Sequence, residues 1–210
     1  MFEYKNILVV TAHPDDMEIA CSGTLRRFQE NGACIHSVVT VRPSAEVNNQ
    51  RNQTIVEQEL FQSYRQSKFK LKVFDTELHN NGRPNLICNN NTITRLGELL
   101  VAADLVIIPN PEDSHQDHRT TYELMLPFLK NYNEVWAMHL WPYEQHYKTK
   151  ANLHIAIDQQ WEFKKSLLEC YQSYIYKGLI KKIETSNRYH GLHTNSNLAE
   201  SFTMVNRCVY

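Results

Sequence analysis

Apolar and polar positions along the 210-residue chain alternate between two rhythms, one of period two and one of helical spacing. Four β-branched apolar runs read as strands: KNILVVTA (5–12), CIHSVVTV (34–41), KLKVFD (70–75) and ADLVIIPN (103–110). Two of these look buried on both faces. Between them, apolar residues recur at helical spacing over Met17–Gln29 (Ile19, Leu25, Phe28), Thr54–Gln66 (Ile55, Leu60, Phe61) and Thr92–Ala102. Strand, helix, strand, helix predicts an α/β fold whose mainly parallel sheet is wrapped on both sides. A helix over about 117–130, strands at 134–141 and 152–158, a long helix over Gln159–Tyr176 and a last strand within 201–210 complete the pattern. Two stretches read as loops: 78–91, dense in Asn with Gly82 and Pro84, and Lys177–Asn197, poor in apolar residues. The length suits a single domain, residues 1–210.

Composition narrows the partners. The 22 basic and 23 acidic residues leave a formal net charge of −1, so no charge excess favours nucleic acid or acidic lipid, and the expected substrate is a small or neutral molecule. No apolar run approaches the ~20 residues that cross a bilayer, and MFEYKNILVV lacks the features of a secretory signal. The expected location is cytoplasmic. Cys21, Cys34, Cys88, Cys170 and Cys208 are scattered, odd in number and without a CxxC pair, as in a chain with reduced thiols and no thiolate zinc site. Self-association into a homo-oligomer stays open.

In an open parallel sheet the reactive crevice lies beyond the carboxyl ends of the strands. Two segments reach that edge with metal-type side chains: His13-Pro14-Asp15-Asp16 after the first strand, and PEDSHQDHRT, with His115, Asp117 and His118, after the fourth. Imidazole and carboxylate together suit Zn²⁺, which in catalytic sites takes three protein ligands and keeps one position open. Adjacent carboxylates then divide the work, one binding the metal and its neighbour acting as a base toward water, while the cation offsets their repulsion. Helix capping is the competing explanation, with Asp16 as an N-cap and Ser114-x-x-Asp117 as a capping box. Capping leaves all three histidines unexplained. His190 and His193 have no strand or carboxylate beside them, His139 and His146 flank LWPYEQ as exposed or substrate-lining residues, and His36 and His154 sit inside strand patterns as structural residues.

AHPDDMEIACSGTL (12–25) resembles the AHPDDE…GGTL signature of the LmbE/PIG-L family of zinc-dependent N-deacetylases, and HQDH (115–118) resembles its HxDH motif. KKSLLECYQSY (164–174) and LAESF (198–202) resemble two weaker motifs, so the likeness spans nearly the whole chain. It implies a Rossmann-like fold and removal of an N-acetyl group from an N-acetylglucosamine-type amino sugar or conjugate. It also implies Zn²⁺ ligands at His13, Asp16 and His118, with Asp15 as general base. His115 would steady the oxyanion or give a proton, and Asp117 would orient a histidine. A charged His115 needs a carboxylate beside it, for which Asp117 is the expected partner. Arg51 and Asp75 match substrate-facing positions. The chain departs from the family pattern at Met17, Ser22, Thr54 and Tyr174, none of them an expected ligand or the base. Aromatic and polar residues of the later segments, Trp141, Tyr143, His146, Tyr189 and His190, read either as a sugar pocket or as core and loop. The rival activities are a metal hydrolase acting on another amide or an ester, and a catalytically silent carbohydrate-binding protein.

Overall fold

The computed structural model describes residues 3–43, 45–47, 50–79, 83–173, 175 and 177–207. Its elements run β1 (Asn6–Thr11), α1 (Asp16–Ala20), α2 (Ser22–Glu30), β2 (Cys34–Val39), β3 (Ala45–Val47), β4 (Gln50–Asn52), α3 (Gln53–Ser67), β5 (Lys70–Val73), α4 (Asn90–Gly97) and β6 (Leu105–Ile108). They continue with α5 (Gln116–Met125), β7 (Glu134–Met138), β8 (Leu153–Ala156), α6 (Trp161–Leu168), α7 (Lys177–Gly191) and β9 (Ala199–Arg207). Short 3-10 turns occupy Leu126–Asn131, Tyr143–His146 and Asp158–Gln160.

Seven strands form one sheet in the order β5-β2-β1-β6-β7-β9-β8, while β3 and β4 make a separate antiparallel hairpin. The first five of the seven are parallel, and β9 runs antiparallel to both β7 and β8. This is the three-layer, mainly parallel Rossmann-like α/β arrangement that the sequence predicts.

Period two explains the layering. Ile7 and Val9 of β1 point into the core that also holds Met17, Leu25 and Phe28, whereas Leu8 and Val10 point into the opposite core with Leu96, Leu124 and Met125. Every residue of β6 is fully buried, as are Leu8, Val9 and Val10. Each such side chain contributes about 1.5–3 kcal/mol when removed from water, so β1 and β6 belong at the centre. There the chain leaves β1 toward β2 on one side and β6 on the other, which opens a crevice at their carboxyl ends.

Three expectations change. The helix predicted over Met17–Gln29 breaks at Cys21, whose φ of −146° is not helical. The buried Glu200 carboxylate accepts from Gly23 N (3.0 Å) and Thr24 N (2.6 Å) at the start of α2, and Lys164 Nζ donates to the Ile19 carbonyl (2.7 Å) at the end of α1. Those are the backbone groups that a helix end leaves without intrahelical partners. The helix predicted over Gln159–Tyr176 stops at Leu168, which lets Tyr171 turn fully into the core with its hydroxyl on the Pro14 carbonyl (2.7 Å) and Glu18 (2.8 Å). Tyr174 lies outside the described residues.

The third change is the largest. Lys177–Asn197, expected as a loop, contains the 15-residue helix α7, packed on β9 and β8. Its buried positions are Ile180, Ile183, Asn187, His190 and Gly191, and two polar side chains among them hide the helical stripe from a count of apolar residues. Among the described residues, no helix is long and apolar enough to cross a membrane. Cys21, Cys34, Cys88 and Cys170 are free, and Cys208 lies outside the described residues.

Candidate active site

The turn after β1 and the segment between β6 and α5 meet at the crevice. Asp15 occupies the N-cap position of α1 without a side-chain cap bond, and Asp16 begins the helix. The Asp16 side chain folds back, its Oδ2 accepting from Ala12 N (3.1 Å) and His13 N (2.7 Å). At α5 the cap is His115, whose Nδ1 accepts from Asp117 N (3.2 Å), and not the Ser114–Asp117 box of the competing explanation.

Two histidine–carboxylate pairs then face each other. His13 Nε2 lies 3.1 Å from Asp117 Oδ2, and His118 Nδ1 lies 2.9 Å from Asp113 Oδ2. When His13 gives its Nε2–H to Asp117 and His118 keeps its proton on the Nδ1 that faces Asp113, the remaining nitrogens, His13 Nδ1 and His118 Nε2, carry lone pairs 3.0 Å apart. Two acceptors at that separation repel unless a proton or a cation lies between them. Asp16 adds to the same spot, with Oδ1 3.3 Å from His118 Nε2 and Oδ2 3.7 Å from His13 Nδ1.

The 3.0 Å between the ring nitrogens and the 3.3 Å from His118 Nε2 to Asp16 Oδ1 lie near the spacing of about 3.3 Å between donors on a tetrahedral zinc with bonds of about 2.0–2.1 Å. Carboxylates behind metal-binding imidazoles are the usual arrangement, because they set the tautomer and the ring orientation. The donor set therefore fits a zinc ion. His13, His115 and His118 also place one nitrogen each within 4.8 Å of one another. His115 differs in that its Nδ1 already accepts a backbone N–H, so in the neutral ring Nε2 carries the proton and is a donor.

The electrostatics follow from burial against charge. Burial opposes protonation of His13 and His118, but Asp16 together with Asp117 or Asp113 outweighs it and raises them to about 10 and about 9. Burial likewise opposes ionisation of Asp16, and the two histidines hold its carboxyl well below the usual range. Asp15 is pushed up to about 6, first by burial and then by the charge of Asp16. His115 is lowered by burial and by the neighbouring histidines; Asp117, the carboxylate expected beside it, turns its carboxylate to His13 and offers His115 its backbone N–H.

A pocket of about 300 Å³ exposes this cluster, lined by His13, Asp15, Asp16, His115 and His118 and walled by Trp141, Tyr143 and Leu179 of α7. Asp117 stands behind it, on His13. Asp75 does not line the pocket; it is exposed and paired with Arg42 at 3.1 Å. Arg51 lies in β4 opposite Glu46, and its side chain is outside the described part of the structure. His146 is exposed, and Tyr189 and His190 line a second cavity instead.

Asp113 was missed by reasoning from sequence. It is 2% exposed, and besides its ion-pair contact with His118 it accepts from His115 N (2.7 Å) and the Tyr147 hydroxyl (2.5 Å). Its one signal was a carboxylate two residues before His115 in the same segment.

Fold and site together define a Rossmann-like α/β protein with a candidate metal centre at the topological switch point of its sheet. The chain belongs to the PIG-L family, described as GlcNAc-PI de-N-acetylase, whose profile matches residues 8–129. No curated protein matches it in sequence. Among solved structures it is similar to the conserved protein TT1542 from Thermus thermophilus, at 19% identity and a TM-score of 0.78, covering 100% of this chain and 97% of that one. It is similar to N,N'-diacetylchitobiose deacetylase from Pyrococcus horikoshii, at 18% identity and a TM-score of 0.74 over 97% and 84% of the two chains. A third similar structure is GalB, the 4-carboxy-2-hydroxymuconate hydratase from Pseudomonas putida, at 17% identity and a TM-score of 0.78 over 98% of each chain. At these identities the likeness concerns the fold.

Proposed function

We propose that this protein is a zinc-dependent N-deacetylase that hydrolyses the acetamido group of an N-acetylglucosamine-type amino sugar or conjugate, from one catalytic domain over residues 1–210. The observation that carries the reading is the pair of opposed ring nitrogens on His13 and His118, with Asp16 beside them and Asp15 in the same pocket. The family description and the named activity of the Pyrococcus protein support a deacetylase. The hydratase of the same fold is the reason the substrate has to be tested rather than inferred from the fold.

His13 Nδ1, His118 Nε2 and Asp16 Oδ1 would hold the zinc, which when bound polarises an amide carbonyl and makes water acidic enough to attack near neutral pH. Asp15, a carboxylate at neutral pH with its pKa near about 6, takes the proton of the attacking water. His115 donates its Nε2–H to the oxygen that gains charge, and it does so as a neutral ring because Nδ1 is occupied by the Asp117 N–H. As the C–N bond breaks, the proton stored on Asp15 passes to the departing nitrogen, leaving acetate and a free amine. His115, neutral with a single proton, is the oxyanion donor and Asp15 the proton carrier. The faces of Trp141 and Tyr143 suit a sugar ring.

The test is metal analysis with an acetate-release assay on N-acetylated sugars. Asp15→Asn is expected to retain zinc and lose at least about 100-fold in turnover, whereas His118→Ala loses the metal itself. Near-native turnover in Asp15→Asn, or a purified protein that takes up no zinc, overturns the assignment.

A further inference from the structure

Tyr147 does not line the catalytic pocket, yet it reaches the candidate metal centre through Asp113. It follows the turn Tyr143–His146, in the same segment as the pocket walls Trp141 and Tyr143. We propose that Tyr147 is a positioning residue for the metal: its hydroxyl fixes the Asp113 carboxylate, which in turn holds the His118 ring with Nε2 facing His13 and Asp16. The proposal rests on reading the site as that of a zinc-dependent deacetylase.

The contacts meet on one atom. Asp113 Oδ2 lies 2.9 Å from His118 Nδ1 and 2.5 Å from the Tyr147 hydroxyl oxygen, while Oδ1 accepts from His115 N (2.7 Å). An ionised carboxylate has no proton to give, so the hydroxyl is the donor. Among the described residues no lysine or arginine pairs with this carboxylate, and Arg119 Nη1 donates to the Asp113 backbone carbonyl instead (2.6 Å). Apart from His118, neutral donors therefore hold the carboxylate. Of those among the described residues, Tyr147 is the one on the oxygen that faces the imidazole. Asp113 and Tyr147 are both buried. A buried carboxylate that loses a donor turns toward whatever donors remain, and such a turn of Asp113 would free the His118 ring.

Tyr147 is itself firmly held. Its ring packs edge-on against His139, 5.2 Å between centres, and its N–H donates to the Glu144 carbonyl (3.1 Å). The next two residues are clasped to the segment that carries Asp113, because Glu112 accepts from Lys148 N (2.5 Å), Thr149 N (2.8 Å) and Thr149 Oγ1 (2.8 Å). The hydroxyl therefore sits at a fixed point. Metal sites keep their geometry when the groups behind the ligands are locked in this way.

Zinc affinity, measured by chelator competition, tests this on Tyr147→Phe, Asp113→Asn and the double variant, each checked for folding by circular dichroism. Tyr147→Phe keeps the ring and removes the hydroxyl; it is expected to weaken zinc about tenfold and to shift the visible absorption of the cobalt-substituted protein. In the Asp113→Asn background the same change should alter zinc affinity by no more than about twofold, because the charge that the hydroxyl fixes is already gone. Glu112→Ala loosens the same loop without touching the Asp113 carboxylate, and should leave zinc affinity within about twofold of the native value. Native zinc affinity in Tyr147→Phe, an equal loss with and without Asp113→Asn, or an equal loss from Glu112→Ala overturns the proposal and leaves the zinc site standing. A native protein that takes up no zinc overturns both. The expected pattern of affinities without acetate release from any N-acetylated sugar sustains the role of Tyr147 and sinks the deacetylase reading.

Discussion

Replacing Lys164 with Met is expected to destabilise the fold by about 3–5 kcal/mol, the usual cost of removing one partner of a buried ion pair. Lys164 and Glu200 are both 0% exposed, with Nζ and Oε1 2.6 Å apart. Met fills nearly the same volume, so the loss is electrostatic: Glu200 keeps its bonds from Gly23 N and Thr24 N but loses its only countercharge among the described residues, and the Ile19 carbonyl loses its donor. The two remaining N–H bonds and the positive end of α2 still favour the carboxylate, which places the loss near 3 kcal/mol. For a chain of this size each kcal/mol lowers Tm by about 2–4 °C, giving a drop of about 6–12 °C. Thermal and urea unfolding of the metal-free protein would measure it, because metal binding would otherwise add to the apparent stability. The double variant Lys164→Met/Glu200→Gln should cost less than the sum of the two single changes, since the isolated buried charge is gone. A loss below about 1 kcal/mol for Lys164→Met, or strict additivity in the cycle, would refute the claim that this pair clasps the break between α1 and α2.

Asp113→Asn should weaken zinc binding about 10–100-fold, because the carboxylate behind His118 sets its tautomer and orientation; competition against a chelator measures this, and an affinity within twofold of the native value would contradict it. His139 should titrate near about 4 rather than its ordinary 6.5, because it is buried at the end of β7 with Nε2 2.8 Å from Thr203 Oγ1. Between those two values the unfolded chain binds the proton and the folded protein does not, so the stabilising contribution is complete above 6.5 and is lost as pH falls toward 4, amounting to about 3 kcal/mol at most. NMR of the ring signals gives the value directly, and a His139 midpoint at 6.5 would exclude this account.

What the sequence determined alone is what depends on neighbours along the chain. The apolar runs of β1 and β6 are buried on both faces, so they declare themselves as central strands, and a crevice at their carboxyl ends follows from parallel topology. HPDD and HQDH could be read as one site because each motif follows such a strand. Polar burial was harder to see. The stripe of α7 includes Asn187 and His190, the α1–α2 break is held by side chains from α6 and β9, and the helix expected to reach Tyr176 ends early so that Tyr171 can support the turn at Pro14. None of these contacts leaves a local pattern. Tertiary structure alone decided which carboxylate serves which histidine: Asp117 faces His13, 104 positions away, and Asp113 rather than Asp117 stands behind His118. Residue types within a segment reveal what chemistry is on offer, but hydrogen-bond partners are set by the packing of α1 and α5 across the sheet, and that packing fixes which nitrogen of each ring keeps its lone pair.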